Sequence, residues 1–224
     1  MKPTVDMHAI EQQTAAALDA GHRIFQPWRL HAEDKEHVRL MLTDMEPLPR
    51  GGTVLDVGCG VGEVCWQMSL MRSDLKFILV NASKVQLAQC PGGDAQRFTC
   101  IQADAHELPL ADDSVNAVMF AASLCQMDRN AALREARRVA APGSVLLVND
   151  MVRWCPIPRE WEEHLGLAIP THQQLLAAIS NAGWTVDWFE YPGGSDRHFR
   201  QMLEADGIGG FADCVRHVVV RGLC

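Results

Sequence analysis

No basic stripe runs through this sequence. Its 224 residues carry a formal net charge of −8, and the densest cationic stretch is Arg134, Arg137 and Arg138. Phosphate binding needs such a stripe, so the balance argues against a nucleic-acid partner, and the three arginines read as the wet face of a helix. Long apolar runs are missing too: none approaches the roughly 18 residues of a membrane span. The first twenty residues are polar and hold no signal-peptide apolar core. A cytoplasmic protein with reduced thiols is expected. The eight cysteines form no CxxC knuckle and no disulfide framework, so no metal is expected. Cys59, Cys100, Cys125 and Cys214 read instead as small hydrophobes in strands or their end turns. Repeats, low-complexity tracts and linkers are absent as well. What remains is an ordinary globular balance, 48% hydrophobic and 21% charged, which argues against disorder.

Met7, Ile10, Thr14, Ala17 and Leu18 recur at helical spacing up to a stop at Gly21. Val38, Met41, Leu42 and Met45 mark a second amphipathic helix, ended by Pro47 and Pro49. Both precede the first strand and can only cap the sheet. Strands then alternate with helices: Thr53–Val57, helix Val64–Met71, Lys76–Asn81, helix Ser83–Gln89, Phe98–Ala103, Val115–Phe120, helix Asp128–Ala140. Pro142 and Gly143 turn the chain into a strand over Ser144–Asp150. Beyond it, Pro156–Pro170 reads as an insertion over the sheet, and Thr171–Ala182 as a helix stopped by Gly183. Trp184–Tyr191 and Asp213–Arg221 read as strands, with a short helix around Phe199–Ala205 between them. Trp184 and Trp188 read as sheet packing. The alternation implies a seven-stranded, mostly parallel, doubly wound α/β sheet with helices on both faces and an N-terminal helical cap.

The informative stretch is Val54-Leu55-Asp56-Val57-Gly58-Cys59-Gly60-Val61-Gly62-Glu63. A strand runs into alternating glycines and then a helix, so backbone can turn sharply and approach a ligand closely. A dinucleotide loop would want a third glycine at position 63, where the helix start receives pyrophosphate. Glu63 stands there, and its carboxylate would repel a polyanion. The spacing is Asp56-x-Gly58-x-Gly60-x-Gly62.

This stretch resembles motif I of class I S-adenosylmethionine-dependent methyltransferases, and further segments follow in order. Asp104-Ala105 leading into Glu107-Leu108-Pro109-Leu110 resembles the family's D-A-x-x-L-P segment, whose Asp or neighbour contacts the adenine amino group in relatives. Asp112-Asp113-Ser114-Val115-Asn116-Ala117-Val118 resembles the acidic lead-in to its fourth strand. Leu133-Arg134-Glu135-Ala136-Arg137-Arg138-Val139 with Ala141-Pro142-Gly143-Ser144 resembles its L-R-E-x-x-R-V-L-x-P-G-G stretch. The likeness covers roughly residues 50–150. It implies S-adenosylmethionine as cofactor, held by Asp56, Gly58, Cys59, Gly60, Gly62, Asn81, Ala82, Gln86, Asp104, Ala105 and Ser123. It also implies a single methyltransferase domain over 1–224: a helical cap over 1–50, a cofactor-binding core over 51–150, and the insertion and last strands over 151–224. Two positions depart from the family. Asn81 ends the second strand where Asp or Glu usually accepts both ribose hydroxyls, and Gln126 stands where relatives often carry a histidine.

Methyl transfer from a sulfonium needs in-line alignment and a dry pocket more than acid–base chemistry. No nucleophile–base pair is written into the motifs. His8, His106, Asp150 and His172 are the catalytic candidates by position. Phe25, Trp28, Gln126, Trp154 and Trp161 are candidates to line the acceptor pocket, since their segments would overhang the sheet's C-terminal edge. Glu11 and Gln12 could reach a closed site. Asn81-Ala82-Ser83-Lys84-Val85-Gln86 resembles the N/T-x-S-x-x-Q form of C-methyltransferases acting on sterols and prenyl-type chains, while Ala122 replaces a glutamate many of them carry. A diphosphate-bearing acceptor would want a metal or an arginine cluster, and Arg153 and Arg159 are the suggestive pair. The expected activity is C- or O-methylation of a small molecule. The alternatives are a nucleic-acid or protein methyltransferase, although no N-P-P-Y-type motif follows the fourth strand, or a non-catalytic cofactor-binding relative. The oligomeric state is open between a monomer and a homodimer.

Overall fold

The computed structural model describes residues 34–90, 96–190 and 210–224. The expected first helix, the short helix around Phe199–Ala205, and His8, Glu11, Gln12, Phe25 and Trp28 lie outside the described residues.

In chain order the elements are α1 (Asp34–Asp44), β1 (Thr53–Val57), α2 (Glu63–Met71), β2 (Lys76–Asn81), α3 (Lys84–Leu87), β3 (Phe98–Gln102) and β4 (Val115–Ala121). A 3-10 turn (Leu124–Gln126) leads to α4 (Arg129–Val139), β5 (Ala140–Arg153), α5 (Arg159–Leu165), α6 (His172–Asn181), β6 (Thr185–Glu190), α7 (Phe211–Cys214) and β7 (Val215–Leu223). The seven strands lie in the order β3-β2-β1-β4-β5-β7-β6. β7 runs antiparallel to both its neighbours, and the other pairings are parallel. The expected seven-stranded, mostly parallel, doubly wound sheet is what forms.

Sequence chemistry explains the layers. β1 and β4 are apolar along nearly their whole length because helices cover both faces. One face packs Leu55, Val57, Val118 and Phe120 against Leu133 and Ala136 of α4 and Leu175 and Ile179 of α6. The other packs Val54, Leu79 and Met119 against Cys65 and Met68 of α2, with Val38, Met41 and Met45 of α1 over them. A third, smaller cluster joins Cys125, Met151, Ile157, Ile169 and Phe211 beneath the segment after β5. Helix ends follow their caps. Asp128 accepts the amides of Asn130 and Ala131 at the start of α4, and Thr171 with Gln174 forms a capping box on α6.

Four expectations need correction. β5 begins at Ala140, not Ser144: Pro142 and Gly143 fall in a register shift, Val115 pairing with Ala140 but Ala117 with Val145. The last strand begins at Val215, because Phe211–Cys214 is helical. Arg137 and Arg138 are more than a wet face. The Arg137 guanidinium lies 5.8 Å from the Trp184 ring centroid, and Arg138 donates to the Leu108 and Leu110 carbonyls while pairing with Asp112 and Glu135. Finally, the thiols are not all free: Cys155 and Cys214 form a disulfide. Antiparallel pairing of Arg153 with Val215 brings the neighbouring Cα atoms to 4.9 Å, across 59 positions of sequence. That proximity comes from topology, so spacing gave no sign of it.

Candidate active site

Going along the chain, β1 leads to β2 and β3 on one side, and the chain then crosses to β4 on the other. The order reverses between β1 and β4, and a crevice opens there at the C-terminal ends of the strands, where ligands bind in open α/β sheets. The glycine loop occupies this point. Gly58 and Cys59 donate their amides to the Val80 carbonyl, pinning the loop to the end of β2.

Its three glycines all have positive φ, 76°, 58° and 74°, yet they serve different ends. A Cβ on Gly58 would stand 2.5 Å from Ser123 Cβ, and one on Gly62 would stand 2.9 Å from Leu79 Cδ1 and 3.1 Å from Cys90 Sγ. These two positions are closed by packing. A Cβ on Gly60 would meet nothing within 4 Å, so this glycine presents bare backbone to open space. Ser123 completes the contact from the β4 side, donating its hydroxyl to the Val57 carbonyl at 2.6 Å.

Asp56 lies under the loop, 1% exposed. Its Oδ2 accepts the Cys65 thiol at 3.3 Å, while its Oδ1 is buried with no hydrogen-bond partner. Burial pushes this carboxyl up to about 7, against a smaller downward pull from the Cys65 hydrogen bond. An orphaned buried carboxylate oxygen is costly unless a ligand group answers it.

Asn81, at the end of β2, donates Nδ2 to the Gly60 carbonyl (3.1 Å) and to Gln86 Oε1 (2.8 Å), and its Oδ1 accepts the Ser83 amide. Both its amide protons are thus engaged, leaving one lone pair on Oδ1 for a ligand hydroxyl. The Ala82 carbonyl accepts from Gln102, and the Ala103 amide bonds the Asn81 carbonyl, which sets the ends of β2 and β3 side by side. Asp104 follows there. Its Oδ1 accepts the His106 amide and lies 2.7 Å from His106 Nδ1, off the line a hydrogen bond needs, so both ring nitrogens of His106 are buried without one. Ala105 packs against the core beside them.

The structure therefore brings together Asp56, Gly58, Cys59, Gly60, Gly62, Asn81, Ala82, Gln86, Asp104, Ala105 and Ser123 along one edge of the sheet. Among the other described candidates, His106 lies beside Asp104 and Gln126 near Ser123, while Asp150, His172, Trp154 and Trp161 do not join the set. The Asp150 carboxylate accepts the Cys125 and Met151 amides and so anchors the 3-10 turn, with burial raising its pKa. His172 packs edge-on against Phe189 of β6, 4.6 Å between centroids, and desolvation lowers its pKa. Trp161 packs on Phe211. Trp154 is 65% exposed beyond β5, and Gln126 donates to the Ala122 carbonyl at the mouth of the crevice. Trp184 and Trp188 do pack on the sheet, on opposite faces, because the register shifts between Val186 and Trp188.

Sequence reasoning missed two features. Ala122 holds φ +54°, an uncommon conformation for alanine, at the end of β4. Cys90 seals Gly62 from a position 28 residues away. Neither residue type carries a signal for such a role.

A family described as "Methyltransferase domain" matches residues 48–207. The chain belongs to that family. Among its relatives, the methyltransferase GfsG of Streptomyces halstedii is 33% identical over 126 residues, 54% of this chain and 45% of that protein. The O-methyltransferase rstn1 of Aspergillus nomiae is 34% identical over 148 residues, 61% of this chain and 66% of its own. The chain thus spans between about half and two thirds of the length of these relatives. Among solved structures, the [4+2]-cyclase SpnF is 20% identical with a TM-score of 0.80, covering 96% of this chain and 94% of its own. At that identity the likeness is one of fold.

Proposed function

We propose that this methyltransferase-family protein transfers a methyl group from S-adenosylmethionine to a small-molecule acceptor, at carbon or oxygen, as one domain over 1–224. The observation that carries the reading is the open face of Gly60 at the β1/β4 crossover, in the loop that follows the buried Asp56. Bare backbone there allows a flat ligand group to approach the loop closely. Asp56, the glycine loop, Asn81, Gln86, Asp104 and Ser123 would hold the cofactor, which supplies an electrophilic sulfonium methyl. The chain's own part is positioning. The Gly58–Ser123 contact fixes the loop against β4, Asn81 ties it to α3, and the 3-10 turn anchored by Asp150 sets the floor facing the acceptor. Methyl transfer to a nucleophilic carbon or phenolate needs alignment and exclusion of water and no general base.

Relatives named as O-methyltransferases support transfer to an oxygen acceptor. The net charge of −8 supports an acceptor other than nucleic acid. No described helix is long and apolar enough to cross a membrane. A cyclase shares this architecture, so fold alone does not choose methyl transfer over another reaction.

Calorimetric titration with S-adenosylmethionine and S-adenosylhomocysteine tests the reading. Micromolar binding of both is expected, with at least about a tenfold loss in Gly60→Val, whose branched side chain would fill the open face. Unchanged affinity in that variant would move the site elsewhere. Labelled methyl donor offered with phenolic and prenyl-type acceptors then separates a transferase from a binding relative or a cyclase.

A further inference from the structure

A cleft of about 460 Å³ lies between the start of α4, the end of β5, α5 and the chain leading into α6. That size suits a small ligand. Arg129, Arg153 and Arg159 line it, together with Glu162 and Glu163. Both carboxylates are already engaged: Glu163 pairs with Arg159 on the outer rim, and Glu162 accepts the Ile169 amide at 3.0 Å. Arg129 and Arg153 are left facing the cleft. Among the described residues neither has a carboxylate within ion-pairing distance. Arg129 donates to the Ala168 carbonyl at 3.0 Å, and Arg153 reaches Gln174 Oε1 at 3.4 Å. Most of the ten N–H groups of the two forks therefore have no partner in the fold.

Burial lowers the pKa of the half-buried Arg129, the Asp150 and Asp128 carboxylates offset this, and Arg153 adds a smaller repulsion across the cleft. Each of the two arginines offers a planar fork shaped for carboxylate or phosphate oxygens. The lining itself sets three arginines against two glutamates, in a chain whose overall charge is −8. The cleft also adjoins the methyl-transfer edge. Arg129 is six residues past Ser123, which bonds the Val57 carbonyl at the glycine loop, and the intervening 3-10 turn is anchored on Asp150 at Cys125.

We infer that Arg129 and Arg153 bind an anionic oxygen group, a carboxylate or a phosphate, carried by the acceptor. That this group belongs to the acceptor rests on the proposed methyl transfer; that the cleft binds an anion does not. Bound there, the anion anchors one end of the acceptor while the remainder extends over the 3-10 turn toward Gly60. Gln126, at the mouth of the crevice, lies along that path.

The test is calorimetric titration of the wild-type protein, Arg129→Gln, Arg153→Gln and Arg159→Gln with inorganic phosphate, pyrophosphate and malonate at low salt. S-adenosylhomocysteine is titrated into the same samples, and melting temperatures verify folding. At least one anion is expected to bind the wild type in the millimolar range or tighter, weakening as salt is added. Affinity should fall at least about tenfold in Arg129→Gln and in Arg153→Gln, the loss of one charge-assisted hydrogen bond, and stay unchanged in Arg159→Gln. Preference for pyrophosphate or phosphate identifies a phosphorylated acceptor, and preference for malonate a carboxylate. The inference is overturned if no anion binds the wild type, or if both inner variants bind as tightly as it does. If Arg129→Gln melts early, Arg153→Gln decides, since its side chain lies at the solvent edge. Failure of S-adenosylhomocysteine to bind the wild type would sink the methyl-transfer reading and leave the anion result standing.

Discussion

Removing the charge of Asp56 should change how the stability of the ligand-free protein depends on pH. The folded carboxyl titrates near 7 because burial disfavours its charged form, whereas in the unfolded chain it titrates near 3.8. The folded state therefore holds a proton that the unfolded state has already released throughout that window. Stability from this group is full below about pH 4, falls as pH rises toward 7, and is level above it. At about 1.4 kcal/mol per pH unit, the interval from 3.8 to about 7 corresponds to about 4 kcal/mol. Asp56→Asn keeps an oxygen to accept the Cys65 thiol and has nothing to titrate. Urea unfolding of both proteins from pH 5 to pH 8 isolates the effect, because every other titrating group cancels in the difference. The stability of the wild type relative to Asp56→Asn should fall by roughly 3 kcal/mol across that range. Parallel curves would mean that Asp56 is charged and solvated in the folded protein, and the case for an unanswered carboxylate under the loop would collapse.

Gly58→Ala should lower stability by about 1–3 kcal/mol, since its Cβ would meet Ser123 in a left-handed backbone. Gly60→Ala should cost only the conformational part, about 1 kcal/mol, so thermal melts of the two variants should separate clearly. Arg138→Gln removes two bonds to loop carbonyls and two partly exposed ion pairs, for about 1–2 kcal/mol. Amide exchange over residues 104–112 should quicken in that variant while β1 is unaffected, and uniform protection would show that Arg138 does not hold the loop.

The parts of this protein legible in sequence are those written locally. Apolar strands between amphipathic helices announce the doubly wound sheet, and glycines at alternate positions announce a close backbone approach. Asp128, Ser83 and Thr171 each cap a helix at the position that their residue type suggests. What could not be read depends on residues distant in sequence meeting in space. Nothing near Gly58 says that Ser123 will sit 2.5 Å from where its Cβ would be. Nothing near Cys155 points to Cys214, and the bulge that turns Trp188 to the opposite face from Trp184 is set by β7. Arg129 reads as one more polar residue at a helix start until the chain at Ala168 closes over it. The buried isolation of Asp56 Oδ1 is likewise a property of everything packed around it.

The position of β7 bears on how the chain assembles during synthesis. β6 reaches the sheet only by way of β7, and β7 covers nine residues of β5, from Val145 to Arg153. A nascent chain that has left the ribosome only as far as β6 can close five parallel strands, with the outer edge of β5 still a row of unpaired amides and carbonyls flanked by valine and leucine. Such an edge is a template for pairing with another chain. The interval before β7 arrives is then the window in which this protein is most open to aggregation and to capture by chaperones, and slowing translation across residues 191–214 should lengthen it.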